Sequence, residues 1–542
     1  MHNGFVDYIY LILIILALVM LANRLKLAYP IVLVLGGLAL SFVVRFHGIA
    51  IRPDLIFFIF LPPLLYEAAW QTSWRSFWKW RRVITSFAFP IVILTSCVVA
   101  FASNAIIPGF TLALGFLLGG IVSPPDAVSA TSIMKTVKVP RSMVSIIEGE
   151  SLLNDASSLI VFRFALAAVL TGQFHLGNAI GSFFLVVIMG VAIGLAVGLI
   201  FYGIHRLLPT TSSIEVVLTL VTPYCMYYTA EYFHFSGVLA VVSGGLLLSN
   251  QRQSMLSYRS RIEGVNVWAN LTFVFNGLVF LLIGLQLPTI IADLGNIGFS
   301  TALGYGLAIS LVLIVARILC ALGASLFTMF MSRFITVAEA NPGWRSPLVL
   351  GWAGMRGVVS LAAALSIPVL MNDGTPFPHR NLILFITFIV ILVTLVGQGL
   401  TLPWLIRKLN IDTDENNIAE QELLLRHRIT EASLKHLQER LATETFHGVR
   451  ISKMVKRLQE DLLFLQEDID DVNNARIDSL ADYQDIYLDT VQYQRSILKT
   501  LDKEGIFEEE LTKKYAALLD IEEYKVQAKL LNTSDLRERS HE

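Results

Sequence analysis

The chain runs to 542 residues, of which 55% are hydrophobic and only 15% charged, with a mean hydropathy of +0.65. Soluble globular proteins carry about 25% charged residues, so an ordinary water-soluble fold is excluded. The formal net charge of -1 conceals a division: residues 1–408 carry +10 and residues 409–542 carry -11, which separates a membrane body from an aqueous tail, and an acidic tail argues against nucleic-acid binding.

A helix needs about 20 mostly apolar residues to cross a bilayer. Such stretches fall at about 5–23, 29–46, 54–70, 83–107, 110–134, 147–170, 177–204, 214–233, 235–250, 264–287, 300–332, 347–371 and 380–406, which predicts 13 crossings. The first contains Asp7 and lacks both a basic leader and a small-residue cleavage site, so it reads as a retained helix and not a signal peptide. Pro62-Pro63 is expected to break the third stretch. Gly119-Gly120 and Pro124-Pro125 interrupt the fifth, and Gly351, Gly354 and Gly357 the twelfth. Cys97, Cys225 and Cys320 lie in apolar stretches with no metal or disulfide spacing.

Basic residues should collect in cytoplasmic loops. Arg24/Lys26, Arg75/Lys79/Arg81/Arg82, Lys135/Lys138/Arg141, Arg206, Arg252/Arg259/Arg261 and Arg333/Arg345 fall in alternate loops, whereas the intervening ones offer Arg52 and the border residue Arg380. The N-terminus is therefore expected outside and the C-terminal tail in the cytoplasm. From about Ala419 to Asp535 the tail is rich in Leu, Glu, Gln, Lys and Arg. Leu434, Leu437 and Leu441, then Met454, Leu458, Leu462 and Leu465, recur at three- and four-residue steps, the spacing of amphipathic helices. This charged helical domain, residues 409–542, is expected to serve assembly or regulation.

Four acidic residues stand inside apolar stretches: Glu67, Asp126, Glu150 and Asp155. Ionisable groups at that depth cost several kcal/mol, so they pair, face a water-filled cavity or mark an ion pathway. Asp126 follows a Gly- and Pro-interrupted run, and broken backbone is tolerated in a membrane where it is buried in protein or lines a polar cavity. In Glu150-Ser151-Leu152-Leu153-Asn154-Asp155, two adjacent helical faces carry oxygen ligands. Asp155 lies about two turns into its helix, where it can hold a proton or a cation but is costly bare and charged. Arg317 and Arg356 sit mid-stretch, and a guanidinium cannot shed its proton, so each demands a carboxylate or carbonyl partner. Arg163, two turns beyond Asp155, reads chiefly as a snorkelling side chain. The two broken stretches occupy the fifth place of each half when stretches 1–6 and 8–13 flank a seventh. That placement points to an inverted-repeat transporter with its site at the crossing.

Phe60-Leu61-Pro62-Pro63-Leu64-Leu65-Tyr66-Glu67, Ser123-Pro124-Pro125-Asp126-Ala127-Val128, Gly149-Glu150-Ser151-Leu152-Leu153-Asn154-Asp155-Ala156 and Gly354-Met355-Arg356-Gly357-Val358 follow one another in the order of the signatures of a known family. Over residues 1 to about 408 the chain resembles the monovalent cation/proton antiporters, which include NhaP-type bacterial antiporters and animal sodium/proton exchangers. The resemblance implies an all-α fold of about 13 transmembrane helices, with inverted repeats, crossed discontinuous helices and elevator-like alternating access, and it implies a homodimer. It implies that Asp155 binds ion and proton in turn with Asn154 beside it, that Asp126 and Ser151 contribute to the sodium site, that Glu150 and Arg317 form a buried structural ion pair, that Arg356 is the arginine of the second crossing helix, and that Glu67 lies at the cytoplasmic ion funnel. An Asn-Asp pair goes in this family with electroneutral exchange. The chain departs from the family in one respect: many members read Asp-Pro-Val where it reads Pro-Pro-Asp-Ala-Val.

The expected function is therefore electroneutral sodium/proton antiport in a bacterial inner membrane, serving pH and sodium homeostasis, with no cofactor and with sodium, protons and the bilayer as partners. Potassium/proton exchange is the nearest alternative, since oxygen ligands alone do not separate sodium, lithium and potassium. An ion channel would call for a pore-loop filter, and an intramembrane metalloprotease for a His-Glu-x-x-His motif. Neither is found in the sequence.

Overall fold

The computed structural model describes residues 2–42 and most of 56–411, leaving out 135–136, 138, 173–175, 293, 295–296, 335–338, 340–342 and 372; in the tail it describes 415–443, 453–460, 487–498 and scattered positions. Arg52, Lys135, Lys138 and Leu465 lie outside these residues. The chain divides into two compact units, Met1–Thr413 and Asp414–Glu542. Among the described residues the secondary structure is helical, with a single isolated bridge between Leu370 and Pro376 and no strand.

The first unit begins with α1 (His2–Leu25) and α2 (Tyr29–Leu40), then a π turn Ile56–Phe60 into α3 (Leu61–Gln71). Pro62 and Pro63 follow the π turn directly, and the helical path runs from Ile56 to Gln71 without the expected break. Proline lacks the N–H of a regular α ladder, and the wider π turn stands where those two donors are missing. Next, α4 (Trp74–Ser86) runs through the π turn Phe87–Ile91 into α5 (Val92–Ile106). The broken pair α6 (Leu112–Val122) and α7 (Ala127–Met134) precedes the long α8 (Arg141–Thr171). After α9 (Leu176–Leu207), α10 (Ser212–Tyr232), α11 (Gly237–Met255) and α12 (Tyr258–Leu285) come α13 (Leu287–Ala292) and α14 (Phe299–Met331). A second broken pair, α15 (Arg345–Trp352) and α16 (Val358–Leu365), is followed by α17 (Arg380–Leu392), a π segment Val393–Gln398 and α18 (Gly399–Leu409).

Hydroxyl side chains set several of the starts. Ser73, Thr111, Thr211, Ser236 and Ser257 each accept a hydrogen bond from a backbone N–H of the first turn that follows, which satisfies one otherwise orphaned donor. Gly172, at φ 68°, ends α8 in the left-handed conformation that glycine adopts without strain.

Seven of the described helical runs are long and apolar enough to cross a membrane by length and composition: Trp74–Ile106, Leu112–Met134, Arg141–Thr171, Gly181–Leu207, Tyr258–Ala292, Phe299–Met331 and Arg380–Leu409. The other apolar stretches of the sequence fall on α1, α2, α3, α10 and α11 or on the second broken pair, consistent with 13 crossings. Between apolar helices in lipid, small residues permit close contact. A Cβ on Gly37 of α2 would lie 2.2 Å from the Leu281 carbonyl oxygen of α12, and one on Gly284 of α12 equally close to that of Val34.

Two hydrophobic clusters organise this unit. The larger draws on α2, α5, α6, α14 and α17, with part of α8; the smaller draws on α3, α10 and α11, with Leu152 and Ala156 of α8. Helix α8 thus straddles the two, and Leu153 and Leu159 pack against both. In the second unit, α19 (Glu415–Thr443) carries Leu434 and Leu437 half-buried, whereas Met454 is exposed.

Candidate functional site

Two interrupted helices meet at the centre of the first unit. Helix α6 stops at Val122 and α7 starts at Ala127; α15 stops at Trp352 and α16 starts at Val358. Pro125 has no N–H to give a helix, and Pro124 and Pro125 each bias the residue before them away from helical backbone. The linkers are joined by one backbone bond, from the Asp126 N–H to the Met355 carbonyl at 2.7 Å.

Such breaks expose helix ends inside the protein, and each end of the first pair is answered. The carbonyls ending α6 accept from Arg356, whose Nε lies 2.6 Å from the Val122 oxygen and whose Nη2 lies 3.0 Å from that of Ser123. Arg356 also bonds the Gly354 carbonyl, and its backbone N–H donates to the Thr394 hydroxyl at 3.1 Å. At 1% exposure this guanidinium is fully enclosed, and a cation at a helix C-terminus is favourably placed against the helix dipole. At the start of α7, the Asp126 carboxylate accepts from the Val128 and Ser129 N–H groups, each at 3.2 Å, and from the Ser129 hydroxyl. An acidic cap belongs at a helix N-terminus for the same electrostatic reason.

Helix α8 brings its polar residues to these breaks. Asn154 Nδ2 donates to the Pro125 carbonyl at 3.0 Å, and the Ser151 hydroxyl accepts from the Ala127 N–H at 3.3 Å. Both residues therefore hold the 125–127 linker. Asn154 Oδ1 is buried without a hydrogen-bond partner. Glu150 and Arg317, exposed by 1% and 2%, form an ion pair in which Nη2 lies 2.8 and 3.0 Å from the two carboxylate oxygens. Asp155 is 7% exposed. Among the described residues no group donates a hydrogen bond to its carboxylate, and the charged side chain acting on it is Asp126.

Asp155, Asn154, Ser151, Asp126, Glu150, Arg317 and Arg356 thus belong to one locality. Glu67 is half-buried on α3, where Gln71 donates to its carboxylate. Tyr29 of α2 lies within electrostatic range of both Asp126 and Glu67, and no sequence signal singled it out. Ser129 and Thr394 also went unforeseen, although a serine three places after Asp126 fits a helix cap. Arg163 does not simply snorkel: it pairs with Glu231 of α10 at 2.9 Å. Chemically, the locality offers carboxylate and amide oxygens beside one carboxylate that has no donor among the described residues, a set suited to a hard monovalent cation or a proton.

Residues 10–408 match the family model described as "Sodium/hydrogen exchanger, transmembrane". The chain is 30% identical over 529 residues to an uncharacterised Na(+)/H(+) exchanger of Mycobacterium tuberculosis, covering 96% of each protein. It is 33% identical over 412 residues to the sodium, potassium, lithium and rubidium/H(+) antiporter of Bacillus subtilis, covering 73% of this chain and 61% of that one. With the Na(+)/H(+) antiporter of Aphanothece halophytica the identity is 34%, over 76% of this chain and 75% of that one. Among solved structures, the sodium proton antiporter MjNhaP1 of Methanocaldococcus jannaschii shares the fold, with a TM-score of 0.58 at 18% identity, over 75% of this chain and 99% of that one.

Proposed function

The chain belongs to the sodium/hydrogen exchanger family, and on that premise we propose that it exchanges sodium for protons, one for one, at Asp155. Members of this family are integral membrane transporters and not enzymes. The observation that carries the reading is the Asp155 carboxylate, enclosed at the junction of two broken helices with no hydrogen-bond donor among the described residues. A carboxylate so placed is costly when bare, so cation and proton displace one another there. Asp126 and the unpartnered Asn154 Oδ1 complete the oxygen set, and Ser151 orders the linker beside it. Asn154 precedes Asp155 in the chain, the Asn-Asp pair that goes in this family with electroneutral exchange, so on this reading a single charge is exchanged per turn. Glu67, with Tyr29, lines the cytoplasmic approach.

The test is proton flux in reconstituted vesicles. An imposed sodium gradient should move protons with the membrane potential clamped at zero. Flux that demands a potential, or that runs at channel rates, refutes the proposal. The Bacillus subtilis relative, named for four alkali cations, favours a second reading in which potassium and lithium also drive exchange, and the same assay run across the three cations separates the two.

Gly357 gives a sharper prediction. A Cβ there would fall 2.8 Å from both Cγ and Oδ2 of Asp126, so Gly357→Ala should push that carboxylate off the site. The sodium concentration for half-maximal flux should rise about tenfold, as expected for roughly 1.4 kcal/mol lost in binding, with the folded protein still recovered.

We place the protein in a bacterial inner membrane as a homodimer, with the N-terminus outside and the tail in the cytoplasm, and assign residues 409–542 to assembly or regulation. Removing the chain after about residue 415 should leave basal exchange intact, measured in the same vesicles; loss of the folded dimer on a sizing column would instead make the tail an assembly element.

A further inference from the structure

Helix α8 carries Asp155, Leu159 and Arg163 at successive four-residue steps, one stripe along one face. Arg163 lies about 12 Å beyond Asp155 along the axis, eight residues at about 1.5 Å each, on the side away from the Arg141 end. Its flanking residues Phe162 and Ala165 belong to the larger hydrophobic cluster, whereas Met226, Tyr227 and Ala230, which lead up to Glu231 on α10, belong to the smaller. The Arg163–Glu231 bond therefore joins the two clusters across the line on which Asp155 sits. Its geometry is specific: Nη2 reaches both carboxylate oxygens at 2.9 Å, and Oε1 also accepts from the Gly237 N–H at 3.2 Å, which fixes the carboxylate at the α10–α11 turn. Between this ion pair and Asp155 stands Leu159, half-buried and packed against both clusters.

We infer that Arg163–Glu231, with Leu159 beneath it, is a gate that closes the route between Asp155 and the membrane face bearing Thr171, and that it parts when that face opens. The inference rests on the exchange reading, because a site that faces one side at a time needs a closure between it and the other. At side-chain exposures of 47% and 21%, the pair is only partly enclosed by protein, so parting it disturbs little packing.

The experiment uses the full chain with Cys97, Cys225 and Cys320 replaced and Leu159→Cys introduced, in right-side-out and inverted membrane vesicles, with a membrane-impermeant maleimide as probe. Glu231→Gln keeps an acceptor for Gly237 and removes only the charge; Arg163→Gln removes the other partner. Each should raise the labelling rate from the Thr171 face about threefold to fivefold, the bias that a partly exposed ion pair exerts on a two-state equilibrium. The double variant should label no faster than either single one, since one interaction is lost in all three. Unchanged rates, effects that multiply in the double variant, or a rise confined to the opposite face would each overturn the gate. Unchanged labelling would leave the exchange reading standing, because that reading falls on a different result, full exchange by Asp155→Asn.

Discussion

Asp155→Asn should abolish sodium-driven proton movement, down to the rate of protein-free vesicles, while the yield and melting temperature of the folded protein stay near or above those of the parent. The two halves of this expectation have one cause. The carboxylate receives no hydrogen bond among the described residues and is 7% exposed, so the substitution deletes no internal contact and removes a charge that is expensive to bury. The amide preserves shape but cannot release a proton or balance a cation. Dye-reported proton flux and a thermal scan on the same preparation check both halves together. Full exchange by the variant would remove Asp155 from the mechanism, and collapse of the fold would make it a structural residue.

Glu150→Gln should have the opposite profile, with a heavy loss of folded protein. It leaves the Arg317 guanidinium, 2% exposed, without its counter-charge, and breaking one side of a buried pair costs about 3–5 kcal/mol, a large part of the about 5–15 kcal/mol that holds a typical protein together. Neutralising both partners, Glu150→Leu with Arg317→Met, should recover most of the loss, because a packed apolar pair can replace a buried ionic one. Fluorescence-detected size exclusion after stepwise heating measures both. The pair also braces the second break: a Cβ on Gly354 would lie 2.1 Å from Arg317 Nε, so the 353–357 linker rests directly on the arginine. The double variant should therefore melt near the parent temperature yet transport poorly, the linker having lost its support.

The sequence made the broken helices legible, because glycine and proline act locally and an apolar run of membrane length has few other reasons to hold them. Asp126, Glu150, Asp155, Arg317 and Arg356 stood out because charge at that depth is costly wherever its partner lies. The partners themselves were not legible. Arg356 finds carbonyls of α6 at Val122 and Ser123, and Arg163 finds Glu231, all through packing that no local pattern encodes. Pro62-Pro63 misled for a related reason: a dipeptide that can break a helix is here carried within one, by the π turn before Leu61. Gly357 was visible as one glycine among several, but its closeness to Asp126 follows only from the crossing of two linkers far apart in the chain.

Around the crossing, charge is met by permanent fixtures of the chain: Arg317 against Glu150, Arg356 against the end of α6, Asp126 against the start of α7. Among the described charged groups there, Asp155 is the one with no fixture assigned to it. On the proposed mechanism its balancing charge must be freight, picked up at one surface and set down at the other. A carrier travelling without freight would drag a naked anion past hydrocarbon, so empty journeys are rare and neither gradient drains idly through the protein. Tight coupling then needs no separate ratchet; it follows from one carboxylate having been left without a resident counter-charge.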